Sequence, residues 1–446
     1  MKKKRILTAL ILVGFGIGGF ALRPASATVP NTITELSLDT GSGNANDTSS
    51  KPEISGDGRF VVFDSVATDL VTSDTNGWAD VFIRDRTSGA TNLVSATSGG
   101  TQGNSSSSHQ AISHNGRYVT FMSGASNLVA GDTNSNGDVF VKDLQTGTLT
   151  IASKSAAGTL GNGFSHSPHI SADGRFVTFL SDATNLVSGL STPINQQVYI
   201  KDLKTGAIKH LSPSTSGGKS NGDSFKPRIS CDGGIVAFTS TASNLVSGDT
   251  NGRKDVFVYE LGGESAELTD ITLSANDDSA DAVVSCDGNK IAYSTRATNI
   301  SGTDANGGLS DVYVYDRTLQ THTLASTSTG GTQGNKTSQY PSISGDGRFV
   351  SFTSESTNFV SNDNHDFTDI YLRDVKYSTT ELISINTGGS STPPGTANTL
   401  GWAGQGDLSV ISADATTVAF SGVGNFIVTG DNDGIKDIYA AATGRD

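Results

Sequence analysis

Apolar and polar positions alternate with a period of two through short runs that recur along the chain. The clearest run is residues 343–354, ISGDGRFVSFTS: an apolar strand end, an Asp-Gly turn, then an alternating strand closing on Ser354. Such alternation sends successive side chains to opposite faces of a strand. The run occurs seven times, with its turn glycine at Gly58, Gly116, Gly174, Gly233, Gly288 and Gly347, and Ala415 in that place in the last copy. The spacings are 58, 58, 59, 55, 59 and 68 residues. After each turn comes a β-branched residue (Val61, Val119, Val177, Val236, Ile291, Val350, Val418) and, two further on, an aromatic one (Phe63, Phe121, Phe179, Phe238, Tyr293, Phe352, Phe420). Between them stands a mostly small residue: Val62, Thr120, Thr178, Ala237, Ala292, Ser351 or Ala419. One sheet can therefore seat its large side chains on the flat face of the next. A unit this small cannot bury its own apolar face, so the recurrence predicts stacked copies.

Each copy continues into a third strand, such as VFIRD at 81–85, and then, past a Thr-Gly or similar turn, into a fourth, such as 91–96. Four short antiparallel strands per copy, no helical period, and Gly, Ser and Asn between them predict an all-β fold, a seven-bladed β-propeller. An open array would leave exposed edges, which proteins avoid. The last copy stops at 439–445 without a fourth strand, while residues 33–42, ITELSLDTGS, read as an orphan fourth strand with its trailing loop. The prediction is that this N-terminal strand completes the seventh blade, making 28–446 a single closed domain.

Residues 1–27 read as a secretory signal peptide. Four basic residues within 1–5 precede an apolar run at 6–22, and Ala25-Ser26-Ala27 supplies the small side chains a signal peptidase requires. Cleavage after Ala27 places the protein in the periplasm or outside the cell, with no stable membrane insertion afterwards. It also removes five of the 30 basic residues, leaving 25 against 44 acidic ones, a formal charge of −19. That charge argues against a nucleic-acid partner. Spread along the chain rather than blocked, it suits a soluble monomer and offers places to hold cations.

With S-x-D-G-R-x-V-x-F followed by an apolar D-V-F-V-x-D strand, the chain resembles the WD40-like (PD40) β-propeller repeat of TolB-like proteins over nearly all of its mature length. The resemblance implies the propeller fold. Two departures stand out: the Pro usual before Asp-Gly is replaced by Gly56, His114, Ala172, Cys231, Cys286 or Gly345, and no room remains for the α/β domain that precedes the propeller in TolB. A role in the Tol-Pal system is therefore not implied.

Between second and third strands lies an acidic loop. Its members are Asp74, Asn76 and Asp80; Asp132, Asn134, Asn136 and Asp138; Asp249, Asn251 and Asp255; Asp304, Asn306 and Asp311; Asp363 and Asp369, with His365; and Asp431, Asp433 and Asp437. Two carboxylates at the base of one loop repel, and a hard divalent cation, calcium foremost, would relieve that by accepting their oxygens together. Asn-Gly turn chemistry, in which Asp or Asn caps its own backbone, accounts for the same residues without metal. The third copy, 190–197 with Pro193, carries no acid and is expected to bind nothing.

Residues opening the innermost strands vary while the scaffold repeats: Lys51, Glu53, His109, His169, Lys226, Arg228, Asp281 and Tyr340. Variation on a constant frame marks positions the fold does not dictate, so these residues are either solvated or the candidate ligand-binding residues of a pocket at the channel mouth. The longest connection, 388–407 with Pro393, Pro394 and Trp402, is placed to lean over that mouth. His109, His166 and His169, on adjacent inner strands, are either surface histidines or a candidate metal cluster. Gly218-Lys219-Ser220-Asn221-Gly222 matches G-x-S-x-G but lacks the strand-turn-helix setting that a nucleophile needs. Cys231 and Cys286 occupy one position in successive copies, so ring symmetry brings them together, and export favours their oxidation to a disulfide.

The favoured expectation is thus an exported, non-catalytic propeller that binds a protein, glycan or small ligand, with no catalytic residues assigned. The alternative is an extracytoplasmic hydrolase or lyase acting on a polymer at the channel mouth.

Overall fold

The computed structural model describes residues 32–445 apart from 191–194, 263–266, 362, 364–366, 386–408, 424–427, 429–430 and 432. The signal segment, Pro193, His365 and the 388–407 connection lie wholly or almost wholly outside the described residues. The described residues form seven four-stranded antiparallel sheets arranged as a β-propeller. In the first blade the strands run outward from the axis as Ser49–Ile54, Phe60–Ser65, Asp80–Asp85 and Ala90–Leu93. The seventh is completed by the N-terminal strand Ile33–Glu35, paired antiparallel with Lys436–Ala442 in the register Ile33 to Ala441 and Glu35 to Tyr439. The chain ends are thereby hydrogen-bonded into one sheet, and the ring has no open edge.

The core lies between sheets, as the alternation requires. Phe63 and Val61 pack on Ala419 and Ala440 of the seventh blade, while Val62 on the opposite face meets Val119 and Phe121 of the second. Within every blade the aromatic of the second strand stacks on one from the third, from Phe63–Phe82 at 6.0 Å to Phe420–Tyr439 at 5.6 Å. Burial of these rings is complete or nearly so. At about 25 cal/mol per Å² of apolar area, they dominate the stabilisation of the stack.

The turn after each inner strand explains the repeated Ser, Asp, Gly and Arg. Ser55 Oγ donates to Asp57 Oδ1 at 2.6 Å and Gly58 takes φ +68°. Arg59 then clamps Asp85 through Nε and Nη2 at 3.0 and 2.7 Å, its guanidinium 4.6 Å above the Phe60 ring. In the last copy Ala415 occupies the glycine position at φ +62°.

Candidate active site at the channel mouth

The central cavity has as its floor the ring of residues that precede the turns, most neighbours joined blade to blade through the backbone. Gly56 N donates to His114 O, Ala172 N to Cys231 O, Cys231 N to Cys286 O, Cys286 N to Gly345 O, and Gly345 N to Ala413 O, all at 2.9–3.0 Å; Asp414 N returns to Gly56 O at 3.0 Å. Cys231 and Cys286 sit in this ring with Cα atoms 4.6 Å apart and are disulfide-bonded. Above it stands a collar of Ile54, Ile112, Ile170, Ile229, Val284, Ile343 and Ile411 around a cavity of about 140 Å³. The next layer is polar: Arg228 Nη2 reaches Glu53 Oε1 at 3.2 Å, bridging the fourth and first blades, and His169 Nδ1 accepts from Ile229 N at 3.3 Å.

One step higher every fully described inner strand is bulged. Pairing with the second strand shifts between Ser50 and Glu53, and at the equivalent place in the next five blades. The bulged residues hold positive φ without being glycine: Lys51 (50°), His109 (54°), Ser167 (49°), Lys226 (43°), Asp281 (56°) and Tyr340 (53°). A bulge re-aims its side chain, and left-handed backbone at a residue other than glycine costs about 1 kcal/mol or more. Six such residues therefore occupy one layer of the inner strands.

Their contacts divide into three groups. Lys226 Nζ lies 3.0 Å from Asp281 Oδ1 and 5.2 Å from the Tyr340 ring centroid, and Ser294 Oγ donates to Asp281 Oδ2 at 3.0 Å. Lys51 Nζ is 3.9 Å from Asp64 Oδ2, and Gln110 Nε2 donates to Lys51 O and, at 3.3 Å, to Asp64 Oδ1. Burial pushes the Asp64 carboxyl up, with Lys51 opposing. His109 and His166 meet edge to face at 5.8 Å, each with Nδ1 2.9 Å from a serine hydroxyl, Ser108 and Ser167. Burial lowers the His166 imidazole, which favours its neutral form.

The expected mouth residues thus separate into two levels. Lys51, His109, Lys226, Asp281 and Tyr340 form the rim, while Glu53, His169 and Arg228 lie deeper. Of the three histidines, His109 and His166 come together, and His169 is engaged with the fourth blade. Ser167, Gln110, Asp64 and Ser294 escaped the sequence reading; a serine or glutamine in a repeat carries no signal until its backbone angle or partner is known. Ser220 is buried and donates to Gly222 O at 2.7 Å, a loop-bracing contact rather than an exposed nucleophile.

The acidic loops are not equivalent. In the first, Gln102 Nε2 donates to Asp74 Oδ1 and Asp80 Oδ2 at 2.7 and 2.8 Å; in the fifth, Gln333 Nε2 does the same for Asp304 and Asp311 at 3.0 and 2.7 Å. In the second, Asn134 Nδ2 donates to Asp138 Oδ2 at 2.9 Å and Asn136 N to Asn134 Oδ1 at 2.9 Å. The third has Gln197, bonded to His210 Nε2 at 2.9 Å. In the sixth, Tyr371 Oη donates to Asp363 Oδ2 and Ser384 Oγ to Asp369 Oδ1, the latter at 2.5 Å; burial pushes Asp369 up to about 7. The fourth gathers Asp249, Asp255 and Asp270, and the seventh Asp431, Asp433 and Asp437, each with ligand atoms within 4.8 Å of one another. Burial raises Asp255 to about 6, Asp270 and Asp437 to about 7, and Glu35, with Asp437, Asp431 and Asp433 adding, to about 8.

No family model matches the chain, and no curated protein matches it. Solved structures do. An oligogalacturonate lyase from Vibrio parahaemolyticus is 11% identical with TM-score 0.53, the match covering 93% of this chain and 97% of that one. A puromycin-hydrolyzing peptidase of Mycobacterium tuberculosis is 11% identical with TM-score 0.52, over 94% of this chain and 55% of that one. TolB-like propellers are also among them: TolB from Acinetobacter baumannii is 18% identical with TM-score 0.40, over 76% of this chain, which spans 64% of that protein. These likenesses are of fold. They nonetheless correct the expectation of a non-catalytic binding module in favour of its enzymatic alternative. The lyase match runs nearly the full length of both chains, so in that protein a propeller of this size is the body of an enzyme.

Proposed function

We propose that this protein is an extracytoplasmic polymer-cleaving enzyme, a lyase acting on an acidic polysaccharide at the channel mouth. The observation that carries the reading is the rim: six strained bulges that put basic, acidic, imidazole and phenol groups in one layer of the inner strands. Strain concentrated at one layer is the pattern of a working site. The full-length likeness to an oligogalacturonate lyase supports the reaction class.

Elimination from a uronate chain needs three things. A base takes the proton beside the carboxylate, and cations hold the charge that builds there. A donor then protonates the leaving oxygen as the carbon–oxygen bond breaks and the double bond forms. In this reading Lys51 and Lys226 hold the substrate carboxylate, since fixed positive charge at a developing anion is the largest single contribution a site makes. His109, beside His166, is the base, imidazole being suited to proton transfer near neutral pH. Tyr340 is the donor. Hydrolysis would instead call on two available carboxyls flanking the bond. Here Glu53 is tied to Arg228 at 3.2 Å and Asp281 to Lys226 at 3.0 Å.

The Asp-Gly-Arg turns support a WD40-like (PD40) repeat, and residues 1–27 support export to the periplasm or beyond. The test is to incubate the full chain with polygalacturonate and with a neutral glucan. Unsaturated product should appear, by ultraviolet absorbance, from the acidic polymer alone. His109→Ala should lower the rate about a hundredfold or more, in the range of lost acid–base catalysis. New reducing ends without unsaturation would replace the lyase reading with a hydrolase, and release of neither would overturn both.

A further inference from the structure

We infer that the fourth and seventh blades each hold a divalent cation of the calcium class, and that the seventh-blade cation fastens the N-terminal strand into the ring. The inference is independent of the reaction at the mouth and rests on a comparison internal to the chain.

Where an acidic loop carries two carboxylates, their repulsion is eased by a hydrogen-bond donor or a cation between them. In the first and fifth blades the Gln102 and Gln333 amides supply it. Antiparallel bridges put Gln102 and Gln333 at one place in the repeat, opposite Ala96 and Thr327; in the seventh blade that place is Asn44, opposite Leu38. The fourth blade passes from Thr272 to Asn276 by a shorter route, without a glutamine.

In these two blades a further acid appears instead. The outer-strand residue opposite the third-strand aromatic is Leu93, Ile151, Leu324 or Leu382 in four blades. It is Asp270 in the fourth and Glu35 in the seventh. Adding a carboxylate where the bridging glutamine has been lost makes the repulsion worse, which a bound cation would relieve.

The oxygens agree. Asp249 Oδ1, Asp255 Oδ2 and Asp270 Oδ2 are buried without a hydrogen-bond partner, as are Asp431 Oδ1, Asp437 Oδ2 and Glu35 Oε1. Asp255 and Asp437 are 0% exposed and Asp431 2%. Their other oxygens are committed: Asp255 Oδ1 accepts from Thr272 Oγ1 at 2.9 Å, Asp437 Oδ1 from Ser37 Oγ at 2.7 Å, and Asp431 Oδ2 from Tyr439 Oη. An orphaned buried carboxylate oxygen is costly, and oxygen-only donor sets suit calcium, with waters completing its shell. Since Glu35 and Ser37 come from one chain end and Asp431 to Asp437 from the other, the seventh-blade ion ties the two together.

Calcium titration of the chelated full chain by calorimetry should show two saturable equivalents. Asp270→Asn should remove one, and Glu35→Gln, which keeps shape and strand, the other; Asp80→Asn, in an amide-bridged loop, should leave both. Calcium should also slow proteolysis within residues 28–48 in the wild type and not in Glu35→Gln. A wild type with no saturable binding, or an Asp80→Asn protein that loses an equivalent while Asp270→Asn retains two, would overturn the inference. Melting each variant in chelator separates loss of an ion from loss of fold.

Discussion

The floor and the rim of the central channel are built by the same seven strands, only a few residues apart, yet they follow opposite rules. At the floor the side chains vary but the backbone repeats, and neighbours are locked by backbone hydrogen bonds and one disulfide. At the rim no two blades supply the same contacts, and the backbone is held in a costly conformation. The floor is where the repeated backbone stabilises the ring, and the rim is where a repeated bulge presents side chains of unlike chemistry. Changes at the floor should therefore move stability, and changes at the rim should move chemistry.

The largest expected effect is at the floor. Replacing Cys231 and Cys286 by serine frees a loop of 55 residues in the unfolded chain. Loop-closure entropy sets this at about 4 kcal/mol. Denaturant unfolding of the double variant should show that loss. A difference under about 1 kcal/mol would mean that the backbone ring holds the floor unaided.

Gly174→Ala comes next, at about 3 kcal/mol. Its φ is +77°, and an added Cβ would lie 2.1 Å from Tyr118 Cδ2, so backbone strain and a displaced ring act together. The seventh blade accommodates Ala415 at this place, which gives the comparison its control: Ala415→Gly should be neutral or stabilising. If Gly174→Ala were equally harmless, the turns would not be the rigid part of the ring.

Acid tests the floor collectively. Hydrogen bonds from Arg59, Arg117 and Arg175 hold Asp85, Asp143 and Asp202 below the usual carboxylate range, Asp143 at about 2. A carboxylate with a depressed folded pKa stabilises above its unfolded value, about 3.9, and that stabilisation is lost as pH falls through the folded one. The Asp143→Asn protein should therefore be less stable than the wild type at pH 6, and their denaturation midpoints should converge between about pH 4 and pH 2. A gap that stays constant through that window would detach the Arg–Asp clamps from acid stability.

The two regions also differ in how much of them could be read from sequence. The floor was fully legible: Asp-Gly turns, the repeated Arg and the paired cysteines are local signals, and the seven-fold spacing converts them into neighbours. The closing strand at Ile33–Glu35 was legible because the last copy lacks its partner. At the rim, the variable positions could be found but not their geometry, since a bulge leaves no mark on residue type: Lys51 and Glu53 look alike in sequence and lie on different levels. In sequence the six acidic loops look alike. What distinguishes them, Gln102 and Gln333 on one side and Asp270 and Glu35 on the other, sits on other strands and loops and is visible only once pairing is known.

The smallest effect tests the rim itself. Lys51, at φ 50°, replaced by glycine should gain up to about 1 kcal/mol from relief of backbone strain, less what glycine's greater freedom when unfolded and the loss of the Lys51 charge beside Asp64 take away. At the floor every substitution considered except Ala415→Gly destabilises, so a gain at the rim would carry the opposite sign. It would come with loss of turnover on the acidic polymer, because the cation at that place would be gone. A Lys51→Gly protein that is both less stable and fully active would mean that the rim, like the floor, is held for the sake of the fold, and the division between the two would disappear.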